Sequence, residues 1–133
     1  MNDKNNSSRK KILLAEDDSS MRHFIEVILQ KENYDVFPAE DGLSAMKTVL
    51  SEKFDAVVSD AVMPNLTGHE LCRILRQNSD FDSVPLIILS GLEQDIASNA
   101  ENNCANLYLL KGANLKEELT ENLSKLLSNN AQV

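Results

Sequence analysis

Five short apolar runs, each followed by a polar turn and a segment with helical spacing, constrain the fold of this chain most strongly. Most of these runs are continuously apolar, which is typical of strands that are buried on both faces of a parallel sheet. They cover residues 12–15, 34–39, 54–60, 84–89 and 107–110. The alternation predicts an α/β domain in which helices cover both faces of a parallel sheet.

Helices are predicted between the runs, because apolar side chains recur there at intervals of three and four residues. Ser19 or Asp18 can cap the first helix, and Thr67 with Glu70 has the capping-box spacing that begins the third. A polar fourth helix is predicted at 93–103. The predicted core-facing residues are Met21, Phe24, Ile25, Ile28 and Leu29; Leu43, Met46, Val49 and Leu50; Leu71, Ile74 and Leu75; and Leu115, Leu119, Leu123, Leu126 and Leu127.

The composition indicates one domain with no basic surface. The 133 residues include 13 Lys or Arg and 21 Asp or Glu, a net charge of −8 that argues against nucleic-acid or anionic-membrane binding. No apolar run approaches the ~20 residues of a membrane span, and the amino terminus does not resemble a signal peptide. We expect a cytoplasmic protein with a disordered lead-in at 1–10, a domain at 11–128 and a frayed tail at 129–133.

The two cysteines and two histidines of the chain are residue types that bind metals in many proteins, but we interpret all four as packing or surface residues. Cys72 and Cys104 lie in helix-like stretches without metal-ligand spacing, so we predict unpaired, buried thiols in a reducing compartment. His23 and His69 lie in predicted helices away from the strand ends. We predict that each is solvent-facing or partly packed, and neither a phosphorelay nor a metal-binding residue.

Polar side chains stand at the ends of four predicted strands. They are Glu16 and Asp17 after the first strand, Asp60 at the end of the third, Ser90 after the fourth and Lys111 after the fifth. The carboxyl ends of parallel strands meet at one edge, where such sheets bind ligands. Asp60 alone could simply cap a turn. The agreement of four strand ends favours a functional site.

Phosphoryl transfer is the chemistry that these side chains suit best. Neighbouring carboxylates repel one another by about 4 kcal/mol per pair at 4 Å and an effective dielectric near 20. Mg²⁺ would relieve this repulsion, and Lys111 would supply a second positive charge. Ser90 could donate a hydrogen bond to a phosphoryl oxygen. Asp60 could then attack phosphorus and become an aspartyl phosphate.

The chain resembles the response-regulator receiver domain of two-component signalling over residues 12–127. The resemblance rests on Ile12-Leu13-Leu14-Ala15-Glu16-Asp17, on Asp60 followed by Met63-Pro64 and Gly68, on Ser90-Gly91, and on Lys111. It implies a flavodoxin-like (βα)5 fold, a doubly wound parallel sheet with strand order 2-1-3-4-5. It also implies that Asp60 is the phosphoacceptor and that Mg²⁺ is bound by Glu16, Asp17, Asp60 and the backbone carbonyl of Val62. Asp18 lies one residue beyond this acidic pair and is interpreted mainly as a helix cap.

The same resemblance assigns the residues of the switch. Lys111 would pair with Asp60 and then with the phosphoryl group, onto which the Ser90 hydroxyl would move. Tyr108 would turn inward with it, and Gly91 would leave room for the phosphoryl group. The implied donor is a sensor histidine kinase or a histidine phosphotransfer protein. A downstream partner would bind the face of the fourth helix, fifth strand and fifth helix.

The resemblance therefore implies a signalling switch and not a turnover enzyme. We expect a monomer or a weak phosphorylation-dependent dimer, without direct contact to nucleic acid or membrane. The chain is either a stand-alone receiver or one cut from a larger protein. An interaction module with a degenerate, unphosphorylated site remains the alternative. A haloacid-dehalogenase-like phosphatase is rejected, because Val62 stands where that class places a second Asp.

Two departures from the family pattern carry expectations of their own. Gly112 follows Lys111 where the family usually has a cis-Pro, so we expect a trans peptide bond and a differently shaped loop. Val62 and Leu92 lie two residues beyond Asp60 and Ser90 and are apolar. They should hinder the ordering of an attacking water, which predicts a long-lived aspartyl phosphate.

Overall fold

Five strands pair in parallel to form one sheet in a computed structural model that describes residues 9–92 and 104–131. The strands are β1 (Lys11–Ala15), β2 (Asp35–Ala39), β3 (Ala56–Asp60), β4 (Leu86–Ser90) and β5 (Leu107–Leu110). Their order is β2-β1-β3-β4-β5, which confirms the predicted topology. Pro38 lies in β2 at the edge of the sheet, where no further strand needs its missing N–H.

Four helices lie in the described part of the chain. They are α1 (Ser19–Lys31), α2 (Gly42–Ser51), α3 (Gly68–Arg76) and α4 (Leu115–Ala131). Asp18 caps α1 by accepting a hydrogen bond from the Met21 backbone N–H at 2.8 Å, and Thr67 and Glu70 form the predicted capping box of α3. Helix α4 continues to Ala131, past the expected start of fraying. The predicted helix at 93–103 lies outside the described residues.

Apolar side chains form one layer on each face of the sheet, which confirms that the sheet is covered on both sides. Helices α2 and α3 pack on one face, and α1 and α4 pack on the other. The largest fully buried side chains include Leu13, Ile25, Leu29, Leu71, Leu75, Phe81 and Ile88. In residues 9–92 and 104–131, no helix is long and apolar enough to cross a bilayer.

Four of the side chains predicted to face the core are instead exposed. They are Phe24 (48%), Leu43 (50%), Leu50 (77%) and Ile74 (38%). In α2 and α3 the buried positions are partly taken by small residues, Gly42, Ala45 and Cys72, so the buried arc is shifted and narrower than the apolar stripe. Sequence periodicity locates an apolar stripe, but the sheet determines how much of it is covered.

The prediction of two unpaired thiols is wrong, because Cys72 and Cys104 form a disulfide. Their Cα atoms are 6.2 Å apart although the residues are separated by 32 positions in the sequence. Cys72 lies on the buried face of α3, and Cys104 lies just before β5, beside that helix. Sequence spacing carries no information on this proximity, since packing of α3 against the sheet creates it.

Candidate functional site

The carboxyl ends of β1, β3, β4 and β5 meet at one edge of the sheet. Backbone hydrogen bonds continue past the strands, with the Ala61 N–H donating to the Leu89 carbonyl at 2.8 Å and the Lys111 N–H to the Ser90 carbonyl at 2.7 Å. The strand order reverses between β1 and β3. Open parallel sheets bind their ligands at such a reversal, so the predicted residues lie in the expected place.

Three carboxylates form a cluster at this edge, and we call Glu16, Asp17, Asp60, Ser90 and Lys111 together the acceptor site. One carboxylate oxygen from each of the three acids lies within 4.8 Å of the others. Glu16 and Asp60 are buried, with exposures of 1% and 7%, whereas Asp17 faces solvent. An all-oxygen set of this size fits Mg²⁺, which retains several waters and takes few protein ligands.

Lys111 bridges the two buried acids of the acceptor site. Its Nζ lies 2.9 Å from Glu16 Oε1 and 2.9 Å from Asp60 Oδ1, and its side chain is only 17% exposed. Burial by itself would lower the pKa of Lys111, but hydrogen bonds to Glu16 and Asp60 raise it above the ordinary value. The amine therefore stays charged at neutral pH and holds both carboxylates in place.

Glu16 is held by several groups besides Lys111. Burial raises the pKa of Glu16, while the hydrogen bonds from Lys111 and from the Asp18 backbone N–H (3.0 Å) act in the opposite direction. Arg22 donates from Nη1 to the carbonyl oxygens of Glu16 at 2.9 Å and of Asp17 at 3.4 Å. No sequence pattern indicates this role of Arg22, because one basic residue in a helix gives no signal of its hydrogen-bond partners.

Ser90 is buried at the end of β4, and its hydroxyl is engaged by its own loop. The exposure of Ser90 is 3%, and its Oγ donates to the Leu92 carbonyl at 3.1 Å and accepts from the Leu92 N–H at 3.3 Å. A Cβ added to the neighbouring Gly91 would meet no atom of the described residues within 4 Å. Among these residues there is thus open space beside Gly91, the residue that the resemblance takes to leave room for a phosphoryl group.

The loop after β3 brings α3 close to Asp60. The Gly68 N–H donates to the Ala61 carbonyl at 3.0 Å, and a Cβ at Gly68 would collide with the Asp60 carbonyl oxygen. Glycine is therefore required where α3 begins. Val62, in the same loop, is 69% exposed, and Leu92 on the opposite loop is 53% exposed. The bond between Lys111 and Gly112 is trans, as expected.

Tyr108 stacks on His69, a contact that sequence reasoning did not find. The two ring centroids are 5.6 Å apart and the ring planes differ by 25°. The Tyr108 hydroxyl and both His69 ring nitrogens are buried, and none has a hydrogen-bond partner among the described residues. Burial lowers the pKa of His69, and Arg73 lowers it further, so a neutral imidazole faces the ring. Of the two placements predicted for His69, solvent-facing or partly packed, the structure shows the second.

Comparisons with known proteins agree with this geometry. A family model described as the response regulator receiver domain matches residues 12–124. The response regulator ArlR of Staphylococcus saprophyticus is 40% identical over 81 residues, which cover 61% of this chain and 36% of that protein. The chain thus matches about a third of the length of this curated relative.

Two solved structures share the fold over nearly the whole chain. The receiver domain of a sensor histidine kinase from Pseudomonas aeruginosa, solved with a magnesium ion in its active-site cleft, has a TM-score of 0.83 at 28% identity and covers 91% of this chain and 99% of its own. The response regulator TrrA from Thermotoga maritima, solved in complex with Mg²⁺-BeF, has a TM-score of 0.79 at 30% identity. The match covers 88% of this chain and 98% of TrrA.

Proposed function

The chain belongs to the response regulator receiver domain family, and we propose that Asp60 is the residue that accepts its phosphoryl group. The observation that carries the proposal is the position of Lys111, with Nζ at 2.9 Å from both Glu16 and Asp60. A cation held on two buried acids beside an exposed third acid, Asp17, is a costly arrangement for structure alone. It suits a site that must receive a dianionic group.

The proposed reaction is an in-line displacement at phosphorus. A carboxylate oxygen of Asp60 attacks the phosphorus of a phosphohistidine on a sensor kinase or phosphotransfer protein. The new O–P bond forms as the P–N bond breaks, and the imidazole nitrogen keeps the electron pair and takes up a proton. Mg²⁺, held by Glu16, Asp17, Asp60 and the Val62 carbonyl, would supply charge neutralisation.

Lys111 and Ser90 provide the local response to the transfer. The phosphoryl group carries more negative charge than the carboxylate that it replaces, so Lys111 is drawn toward it. The Ser90 hydroxyl, now bonded to Leu92, can exchange that backbone partner for a phosphoryl oxygen. These are small local movements. They bias a two-state equilibrium and do not complete a catalytic cycle, which is why we propose a switch and not an enzyme.

The output of the switch is proposed to be a change of partner. Tyr108 and the start of α4 at Leu115 lie next to Lys111 in the sequence, so a rearrangement at the acceptor site reaches this surface directly. We expect a downstream protein to bind the face formed by the predicted fourth helix, which lies outside the described residues, together with β5 and α4.

Intact mass after incubation with acetyl phosphate and Mg²⁺ tests the proposal. One phosphoryl group is expected on the wild type and none on Asp60→Asn. Asp18→Asn is the matched control, because Asp18 lies on the same edge but caps α1, and asparagine caps equally well. That variant should be phosphorylated like the wild type, and EDTA should prevent all labelling.

The alternative outcomes separate the two candidate functions. Labelling of Asp60→Asn at the wild-type level would show that another residue is the acceptor. If the wild type takes no phosphoryl group and also fails to bind beryllofluoride with Mg²⁺, the site is degenerate and the chain is a phosphorylation-independent interaction module. Beryllofluoride binding without labelling would show an intact site that does not accept acetyl phosphate as a donor.

A further inference from the structure

The disulfide joins two elements that carry the switch. Cys72 is fully buried in the second turn of α3, whereas Cys104 is only half-buried in the chain that leads into β5. Tyr108 follows Cys104 by four positions and Lys111 follows it by seven. The bond therefore anchors the beginning of the strand that presents both residues.

Arg76 reinforces the same junction through hydrogen bonds. Its Nε donates to the Cys104 carbonyl at 3.1 Å and its Nη2 donates to Asn106 Oδ1 at 3.0 Å. Asn106 Oδ1 also accepts the Leu86 backbone N–H at 2.8 Å, so the contact extends to β4. These hydrogen bonds do not depend on the disulfide, so they keep the two sulfur atoms close enough to reoxidise. Reduction removes only the tighter covalent constraint on the distance between α3 and the chain before β5.

His69 extends the connection from the disulfide to Tyr108. His69 and Cys72 are three residues apart on α3 and thus lie on one face of the helix. The helix is fixed to the chain before β5 by Cys72 and stacks on Tyr108 through His69. The disulfide and the ring stack thus act on the same face of α3, and a shift of α3 relative to the chain before β5 would change the contact between His69 and Tyr108.

We propose that Cys72–Cys104 is a thiol–disulfide exchange site whose oxidation state controls how firmly α3 holds Tyr108. The reactants are a small-molecule thiol, such as glutathione, and its disulfide. The site itself does not depend on phosphorylation. Only the further step, from Tyr108 to Asp60, rests on the proposed function.

Exchange begins at Cys104, because Cys72 is shielded from solvent. An external thiolate attacks Cys104 Sγ, a mixed disulfide forms, and the Cys72 sulfur leaves with the electron pair and takes up a proton. A second external thiol attacks the outer sulfur and releases Cys104 as a thiol. Two external thiols are thereby oxidised to one disulfide, and two electrons and two protons pass to the cysteine pair.

Alkylation followed by intact mass tests the exchange site. Protein equilibrated with oxidised glutathione, then denatured in N-ethylmaleimide, should take up no maleimide, and protein equilibrated with reduced glutathione should take up two. On the native reduced protein, Cys104 should react at least about tenfold faster than Cys72 because of its exposure. Two maleimides on the protein from oxidised glutathione would overturn the proposal.

NMR of the tyrosine rings tests the coupling to Tyr108. The chain has two tyrosines and no tryptophan, so a ring-labelled sample gives two sets of signals, which Tyr34→Phe assigns. In the oxidised protein the Tyr108 signals should carry a ring-current shift from His69, and His69→Leu should remove it. Reduction should decrease that shift by at least about half. Cys104→Ser should resemble the reduced protein in either glutathione buffer.

Identical Tyr108 spectra in the two oxidation states would overturn the coupling and leave a bond that only stabilises the fold. The Cys104→Ser control tolerates loss of the bond, since Cys104 is half-buried and the change in volume is small. A failure of Asp60 to accept a phosphoryl group would not affect either experiment. Phosphorylation that proceeds normally while no exchange occurs would remove this inference and leave the proposed function intact.

Discussion

Lys111 lies where two buried carboxylates would otherwise repel each other. It contacts Glu16 and Asp60 at the same distance, 2.9 Å, and so offsets their mutual repulsion. The exposed Asp17 is outside this pairing and adds a further negative charge at the rim. The site has a deficit of positive charge that a divalent cation can fill, while one amine already orients the proposed nucleophile.

Replacing Lys111 tests this arrangement. Lys111→Ala is expected to lower the rate of phosphorylation by acetyl phosphate at least about a hundredfold, because a fixed positive charge at the reacting group is removed. Lys111→Arg should not restore the rate, since a planar guanidinium does not fit a slot that leaves the lysine 17% exposed. Phosphate incorporation over time is the measurement.

Lys116→Ala is the matched control and should react like the wild type, because Lys116 is an exposed residue in the first turn of α4. A wild-type rate for Lys111→Ala would show that Lys111 has only a structural role.

Val62 is the second single residue for which the structure allows a prediction. Its side chain is 69% exposed beside the acceptor, so Val62→Asn should leave the fold unchanged. The added carboxamide could orient an attacking water, and one hydrogen bond of about 1 kcal/mol corresponds to a roughly five- to tenfold shorter lifetime of the aspartyl phosphate. Phosphate release from isolated phosphoprotein measures the lifetime, with Val62→Ile as the apolar control. Equal lifetimes for Asn and Ile would contradict the prediction.

Helix α3 connects the loop after Asp60 with β5 and with the chain before β5. It begins at Gly68, whose N–H binds the Ala61 carbonyl, and its first turn presents His69 to Tyr108. Its second turn presents Cys72 to Cys104. One short helix therefore contacts the loop after Asp60, the aromatic ring of β5 and the chain before β5. Its amino-terminal cap should matter for all three contacts.

The capping box of α3 predicts a pH dependence. The Thr67 backbone N–H donates to Glu70 Oε1 at 2.9 Å and lowers the pKa of Glu70 below its ordinary value of 4.5. A depressed folded pKa means that the stabilisation is present above the unfolded pKa and is lost as the pH falls through the folded value. Glu70→Ala should therefore lower the melting temperature at neutral pH. This decrease should become progressively smaller as the pH falls far below 4.5.

Thermal unfolding followed by circular dichroism at a series of pH values measures this difference. Glu121→Ala, which removes an exposed carboxylate from the middle of α4, is the control. A difference between wild type and Glu70→Ala that stays constant down to acid pH would show that the carboxylate charge does not contribute to the cap.

An ion bound by the acid cluster would couple its binding to folding, because the cluster combines the loop after β1 with the end of β3. These acids are brought within 4.8 Å only when the sheet forms. An ion that binds this set binds the folded state alone. Its binding free energy is then added to the free energy of unfolding.

Addition of Mg²⁺ should consequently raise the melting temperature of the wild type. At a concentration one hundred times the dissociation constant, the free energy of unfolding should increase by about 2.7 kcal/mol. Asp60→Asn should lose most of this increase and Asp18→Asn should keep it. Removal of the ion with EDTA should reverse the effect, and NaCl of equal ionic strength serves as the reference. An unchanged response of Asp60→Asn would place the ion elsewhere.

The order of the strands, the helices of the described residues and the gathering of Glu16, Asp60 and Lys111 at one edge of the sheet could all be predicted from the sequence. Apolar runs and capping residues act locally, so their pattern is readable without coordinates, and the ends of parallel strands must meet at one edge. The pattern therefore predicts that Glu16, Asp60 and Lys111 lie close together.

The contacts between segments that are remote in the sequence could not be predicted, because they depend on the packing of the whole fold. The pairing of Cys72 with Cys104, the stacking of His69 on Tyr108 and the exposure of Phe24 and Leu50 all depend on how far each helix is rotated and shifted over the sheet. That placement results from the summed packing of many side chains. No local pattern records it, because residues 32 positions apart carry no mark of their proximity.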